Sequence, residues 1–211
     1  MVDYALKLLS HGFLCVPLSR RGRHLDIETI GYAPLHLQTR RKNLKELCFN
    51  SVAFHLSQHP PSPETIKSWF DGFESNIGII GGYMNLMILD FDKVSAYQRW
   101  QRENHDLVAS TPVARSPHGF HVYLKTVKPT VSSSLHFGFH RAGHVKALGG
   151  YVLSPPSELK DGYTYRWLPE QSPFEVAPQT IESLESLSLL PVSPLIVFYD
   201  RLLNRGRFEP I

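Results

Sequence analysis

The segment Met87-Ile88-Leu89-Asp90-Phe91-Asp92-Lys93 ends an otherwise apolar run with two carboxylates. Residues 86–89 read as a buried strand. Alternation in an extended chain then sends Asp90 and Asp92 to one face and Phe91 to the other. Carboxylate oxygens suit a hard divalent cation, magnesium or manganese, and one acid is rarely enough. An Asp-x-Asp at a strand end therefore supplies half of a nucleotide-metal site. The tripeptide is also common, and two solvated strand-end aspartates are the plainer reading of the same residues.

The 211 residues, 42% hydrophobic and 19% charged, suffice for one good core, or one core with a small satellite. The formal net charge is +3, with basic residues gathered at Arg20, Arg21, Arg23 and at Arg40, Arg41, Lys42, which suits a polyanionic partner without demanding one. Neither Cys15 nor Cys48 has metal-ligand spacing, and Cys15, inside an apolar strand-like run, is expected to be a reduced core residue. The N-terminus carries Asp3 and has no basic segment before an apolar one. No run reaches the roughly 18 apolar residues of a membrane span. A cytoplasmic protein without membrane association is the expectation.

Along the chain, Asp3 can cap a short amphipathic helix through Leu9, ended by Gly12, and residues 13–18 follow as a strand. Residues 19–42 are polar, basic and weakly periodic, and they predict a long loop. Ser62 before Pro63 marks a helix start, with residues 65–70 helical. Residues 77–80 read as a strand, Gly81-Gly82 as a turn, and residues 95–104 as a surface helix. Further strands are predicted at 113–116, 120–125, 145–148, 151–153 and 163–168. Helices are predicted at 181–190 and 194–203, the last before a basic tail of Arg201, Arg205 and Arg207.

The order of these landmarks carries a resemblance. Tyr4-Ala5-Leu6 to Gly12-Phe13 and Val16-Pro17-Leu18, then Ile66-Lys67-Ser68-Trp69-Phe70 to Asn76-Ile77-Gly78-Ile79, precede Asp90-Phe91-Asp92. After it come Ser116-Pro117-His118-Gly119-Phe120-His121-Val122-Tyr123, Gly149-Gly150-Tyr151-Val152-Leu153-Ser154-Pro155-Pro156-Ser157 and Gly162-Tyr163-Thr164-Tyr165-Arg166-Trp167. In this order and spacing, about residues 1–170 resemble the primase-polymerase domain of the archaeo-eukaryotic primase superfamily, in the bifunctional branch of plasmids, phages and mobile elements.

The resemblance implies an α+β, archaeo-eukaryotic primase-like fold: a helix-backed mixed sheet packed on an RRM-like half, with the active site between them. It implies a catalytic core over residues 1–175, with 176–211 a C-terminal helical extension. It also implies template-dependent nucleotide addition in DNA replication, with Mg²⁺ or Mn²⁺ and nucleoside triphosphates, on single-stranded DNA or a primer-template, and with a helicase partner. Asp90 and Asp92 would be the metal carboxylates. Arg115, Ser116 and His121 would hold triphosphate, with Lys146 and Arg166 as further electrostatic contacts. The chain departs from the family pattern at His144, where an Asp usually completes the metal set. An imidazole offers one lone pair and no charge, so two-magnesium binding is in doubt there. A member that keeps nucleotide or nucleic-acid binding but has lost synthesis is the alternative.

Two further readings of the residues compete. His118-x2-His121 and His140-x3-His144 roughly match zinc-ligand spacing, although no cysteine lies nearby. Phe137, Phe139, Tyr163 and Trp167 could stack on bases, or serve as core and half-exposed strand residues.

Overall fold

A computed structural model describes residues 1–31, 42–72, 74–137 and 140–191. The predicted helix at 194–203, the basic tail, Arg40, Arg41 and Phe139 lie outside the described residues. The chain begins with α1 (Val2–Ser10), whose buried Ala5 and Leu8 lie on one face. Then come β1 (Cys15–Leu18), the single-turn α2 (Ile27–Ile30) and α3 (Lys42–Gln58). In α4 (Pro63–Phe70) the Ser62 hydroxyl accepts from the Thr65 amide at 3.2 Å and Pro63 sits at the first turn. The buried face of α4 is Ile66, Trp69 and Phe70.

The middle of the chain supplies β2 (Asn76–Ile80), β3 (Leu86–Phe91), α5 (Val94–Glu103), α6 (His105–Ala109), β4 (Val113–Arg115) and β5 (Phe120–Thr126). It continues with β6 (Ser133–Phe137), β7 (His140–Lys146), β8 (Tyr151–Ser154), β9 (Arg166–Trp167), β10 (Gln179–Ile181) and β11 (Leu189–Pro191). Among the described residues the result is an α+β arrangement with two sheets, whose strand pairings are antiparallel except for β5–β10. The small sheet runs β1-β2-β8, and the large one β11-β6-β7-β3-β5-β4-β9 with β10 beside β5.

Alternation along β3 divides the interior in two. Leu86 and Ile88 join a core with α1, β1, β2 and β8, so this face of the large sheet looks toward the small sheet. Met87, Leu89 and Phe91 join a second core on the opposite face, against Tyr97 and Trp100 of α5. The expected separation of Asp90 from Phe91 is therefore observed, and Asp90 falls on the face shared with the small sheet. Cys15 is buried and free, and burial pushes its thiol up, as a reduced core residue requires.

Several expectations are corrected. Residues 181–190 are not a helix: after β10 they form a 3-10 turn at Glu185–Leu187 and enter β11. Ser188 takes a left-handed φ of 58°, which stops the helix, and Leu184, Leu187 and Leu189 turn into the second core while β11 pairs with β6. The Trp100 indole donates to the Leu187 carbonyl at 3.0 Å and fastens that turn to α5. The strand predicted at 145–148 instead runs His140–Lys146, and the one at 163–168 shrinks to Arg166–Trp167. The predicted loop at 19–42 contains α2, capped by the Asp26 carboxylate on the Thr29 amide and ended by left-handed Gly31. Among the described residues no helix is long and apolar enough to cross a membrane.

Candidate active site

β3 is flanked by β5 on one side and β7 on the other, and Asp90 is in register with a histidine on each: His121 of β5 and His144 of β7. Two glycines allow this close pairing. A side-chain carbon on Gly119 would lie 1.8 Å from the Phe91 carbonyl oxygen, and one on Gly143 would lie 1.9 Å from that of Asp90. Any other residue at either position would push the neighbouring strand off β3.

On the β5 side, the His121 Nε2–H points at Asp90 Oδ1 across 3.2 Å, with the imidazole 5% and the carboxylate 22% exposed. Burial pushes the Asp90 carboxyl up. The charge and hydrogen bond of His121, with Lys146 and His144 behind it, outweigh burial and hold Asp90 below the ordinary carboxylate range. The other ring nitrogen of His121, Nδ1, is buried and has no hydrogen-bond partner among the described residues. The turn before β5 is closed by Ser116, whose hydroxyl accepts from the Gly119 amide at 3.1 Å.

Asp92, one residue beyond β3, is 47% exposed. Burial and then the neighbouring Asp90 charge push its carboxyl up, against the pull of His144, Arg141 and Lys146. His144 Nε2 stands 4.0 Å from Asp92 Oδ2. The same nitrogen accepts a hydrogen bond from Arg141 Nη2 at 2.7 Å. Desolvation first, and then the Lys146 charge, lower the His144 pKa, so the ring is a neutral acceptor at neutral pH.

These groups line one cleft of about 810 Å³ between the two sheets. Asp90, Asp92, Ser116, His121, His144 and Lys146, all singled out in the sequence, meet there. Arg115 and Arg166 do not line it. They pair across β4 and β9, and Arg115 donates to the Gly119 carbonyl at 2.9 Å while lying over the Phe120 ring. Arg115 thus braces the Ser116–Gly119 turn from outside.

Lining residues not identified as site residues in the sequence include His24, Phe49, Arg141 and Tyr165. The His24 and Phe49 rings stack at 5.2 Å and form part of the wall facing the acids. Arg23 also lines the cleft, whereas its neighbours Arg20 and Arg21 pair with Glu74 and Glu158. The basic cluster was visible in the sequence, but which member faced the cleft was not.

Among the described residues no group of three or more His, Cys, Asp or Glu side chains is arranged to hold a metal, so neither the histidine set of the zinc reading nor the expected Asp90, Asp92 and His144 set is assembled as a three-ligand site. His121 is committed to Asp90, His144 to Arg141, and His140 is exposed at the far end of β7.

The sequence profile of the family described as bifunctional DNA primase/polymerase, N-terminal, matches residues 5–180. No curated protein matches the chain.

Proposed function

The chain belongs to the bifunctional DNA primase/polymerase N-terminal family, and from that membership we propose that the cleft beside β3 binds a nucleoside triphosphate together with Mg²⁺ or Mn²⁺ and adds nucleotides to a DNA strand. The observation that carries this reading is Asp90, in register with His121, with Asp92 two residues on, both lining the cleft.

The residues fit a divalent cation in their donor chemistry. Asp92 is held above the ordinary carboxylate range by burial and by Asp90, so a cation shared by the two acids relieves a repulsion already built into the fold. Asp90 and Asp92 would hold it, with triphosphate oxygens completing its shell. When bound, the cation neutralises charge developing on the transferring phosphoryl group.

The protein's own groups do the positioning. His121 orients Asp90 through Nε2–H. His121 also lines the cleft beside the acids, where the resemblance puts a phosphate contact. Ser116, in the turn before β5, lines the cleft and would face the triphosphate. Lys146, two residues from His144 on the same face of β7, offers a further phosphate contact. The small sheet and the acid-bearing sheet correspond in this reading to the two halves of the archaeo-eukaryotic primase fold, the acid-bearing one being RRM-like. Single-stranded DNA or a primer-template, a separate helicase, and a cytoplasmic role in replication of a plasmid, phage or mobile element complete the proposal.

A second reading has one observation in its favour. The Arg141 hydrogen bond consumes the His144 lone pair at the third ligand position. A domain that binds nucleotide without rapid synthesis follows if that position is needed for chemistry. Primer-extension and de novo priming assays with magnesium and with manganese, with and without template, separate the two. Incorporation supports polymerase function; tight nucleotide binding without incorporation supports the second reading; absence of both rejects each.

A further inference from the structure

The contact between Arg141 and His144 depends on an irregularity in β7. Leu135 pairs with Gly143 but His136 pairs with Arg141, so Ala142 is one residue too many on β7, a β-bulge. In a regular strand Arg141 and His144, three apart, would face opposite ways. Here Ala142 takes the core-facing place that Gly143, with φ 155° and no side chain, leaves open, and it is 3% exposed in the second core. Arg141 is thereby turned onto the face of Asp90 and Asp92. The bulge is pinned to β3, since the Asp92 amide donates to the Ala142 carbonyl at 3.1 Å.

We propose that the Arg141 guanidinium occupies the place of a second divalent cation, so that the cleft holds one cation with its nucleotide rather than two. This rests on the reading of Asp90 and Asp92 as cation ligands given above. A guanidinium is positively charged at any working pH and has five N–H donors but no lone pair, so it can balance carboxylate and phosphate charge while coordinating nothing. Its hydrogen bond at 2.7 Å takes the Nε2 lone pair that a cation would need from His144. Its charge acts on Asp92, the carboxylate that a second cation would otherwise share. Lys146, on the same face of β7, adds a second fixed positive charge to that wall.

Protein-bound manganese, counted by electron paramagnetic resonance at saturating non-hydrolysable deoxynucleoside triphosphate, tests this without any turnover. The wild type should bind one manganese per chain. Arg141→Lys and His144→Asp alone should each keep that count, because a cationic side chain remains at position 141. Arg141→Gln combined with His144→Asp should raise it to two. A wild-type count of two overturns the proposal, and so does a count of two in His144→Asp alone. So too does a count that stays at one in the double variant when its circular dichroism and nucleotide affinity match the wild type. If the double variant does not fold, the wild-type and His144→Asp counts still decide. A wild-type count of zero, with or without nucleotide, overturns the cation reading of Asp90 and Asp92 as well, which distinguishes the two failures.

Discussion

The two strands flanking β3 bring a histidine level with the same aspartate and make opposite uses of it. On β5 the pairing is regular, His121 is buried, and its proton goes to Asp90. On β7 the pairing with β3 is equally regular, but the strand is bulged along its other edge, against β6; His144 is 34% exposed, and its lone pair goes to Arg141. Register thus places a residue opposite a site without deciding its chemistry, because the partner available to the free ring nitrogen decides that. One flank is an anion-orienting wall and the other a cationic one.

The largest effect is expected from removing the close approach that makes the bulged flank. Gly143→Ala puts a methyl group 1.9 Å from the Asp90 carbonyl oxygen, so β7 must leave β3 or the core must shift. A loss of about 3 kcal/mol or more in urea denaturation follows. A loss below about 1 kcal/mol would mean that the bulge tolerates a side chain.

Next in size is the contrast between the histidines. His121→Ala strands a largely buried carboxylate and should cost about 2 kcal/mol, discounted from a fully buried pair because Asp90 keeps some contact with solvent. His144→Ala removes a half-exposed partner and should cost under about 1 kcal/mol. Equal costs in the same denaturation series would erase the distinction between the flanks.

A pH titration sharpens it. The two carboxyls lie on opposite sides of their ordinary value of 3.8, Asp90 below and Asp92 above. For Asp90 the stabilisation is present above 3.8 and is lost as pH falls through its lowered value. For Asp92 the folded state favours the protonated form, so its contribution is present below 3.8 and is lost as pH rises through its raised value. Carbon-detected NMR should find Asp92 titrating above 3.8, and lower in Asp90→Asn, where the neighbouring charge is gone. An unmoved Asp92 midpoint would remove Asp90 as a cause.

The smallest effect concerns Arg115 and Arg166. Both lie outside the cleft, so Arg166→Ala should leave nucleotide affinity within about twofold of wild type, by the small couplings usual between separated sites. A tenfold loss would bring Arg166 back into the nucleotide site.

What was legible in the sequence follows the regular parts of the chain. The shared face of Asp90 and Asp92, the position of His121 and the capped start of α4 all rest on undisturbed alternation or on local capping, and these are visible residue by residue. Arg141 was hidden because a bulge reverses the parity that alternation assumes. The 181–190 segment was misread because its leucines satisfy helical spacing, while left-handed Ser188 and the open edge of β6 favour an extended end. The 17-residue α3 was not predicted; its Phe54 is exposed, so an apolar face is poorly marked. β6 was missed because only Leu135 among its five residues is buried.

Calorimetric titration of a deoxynucleoside triphosphate, with and without manganese, into the wild type and into Asp90→Asn/Asp92→Asn bears most directly on the central claim. Manganese should strengthen wild-type binding by at least about tenfold, as expected when carboxylates and phosphates share a cation. In the double variant that gain should vanish while the circular dichroism spectrum is unchanged. A manganese-dependent gain of the same size in both proteins would contradict the assignment of the cleft beside β3 as the nucleotide-cation site.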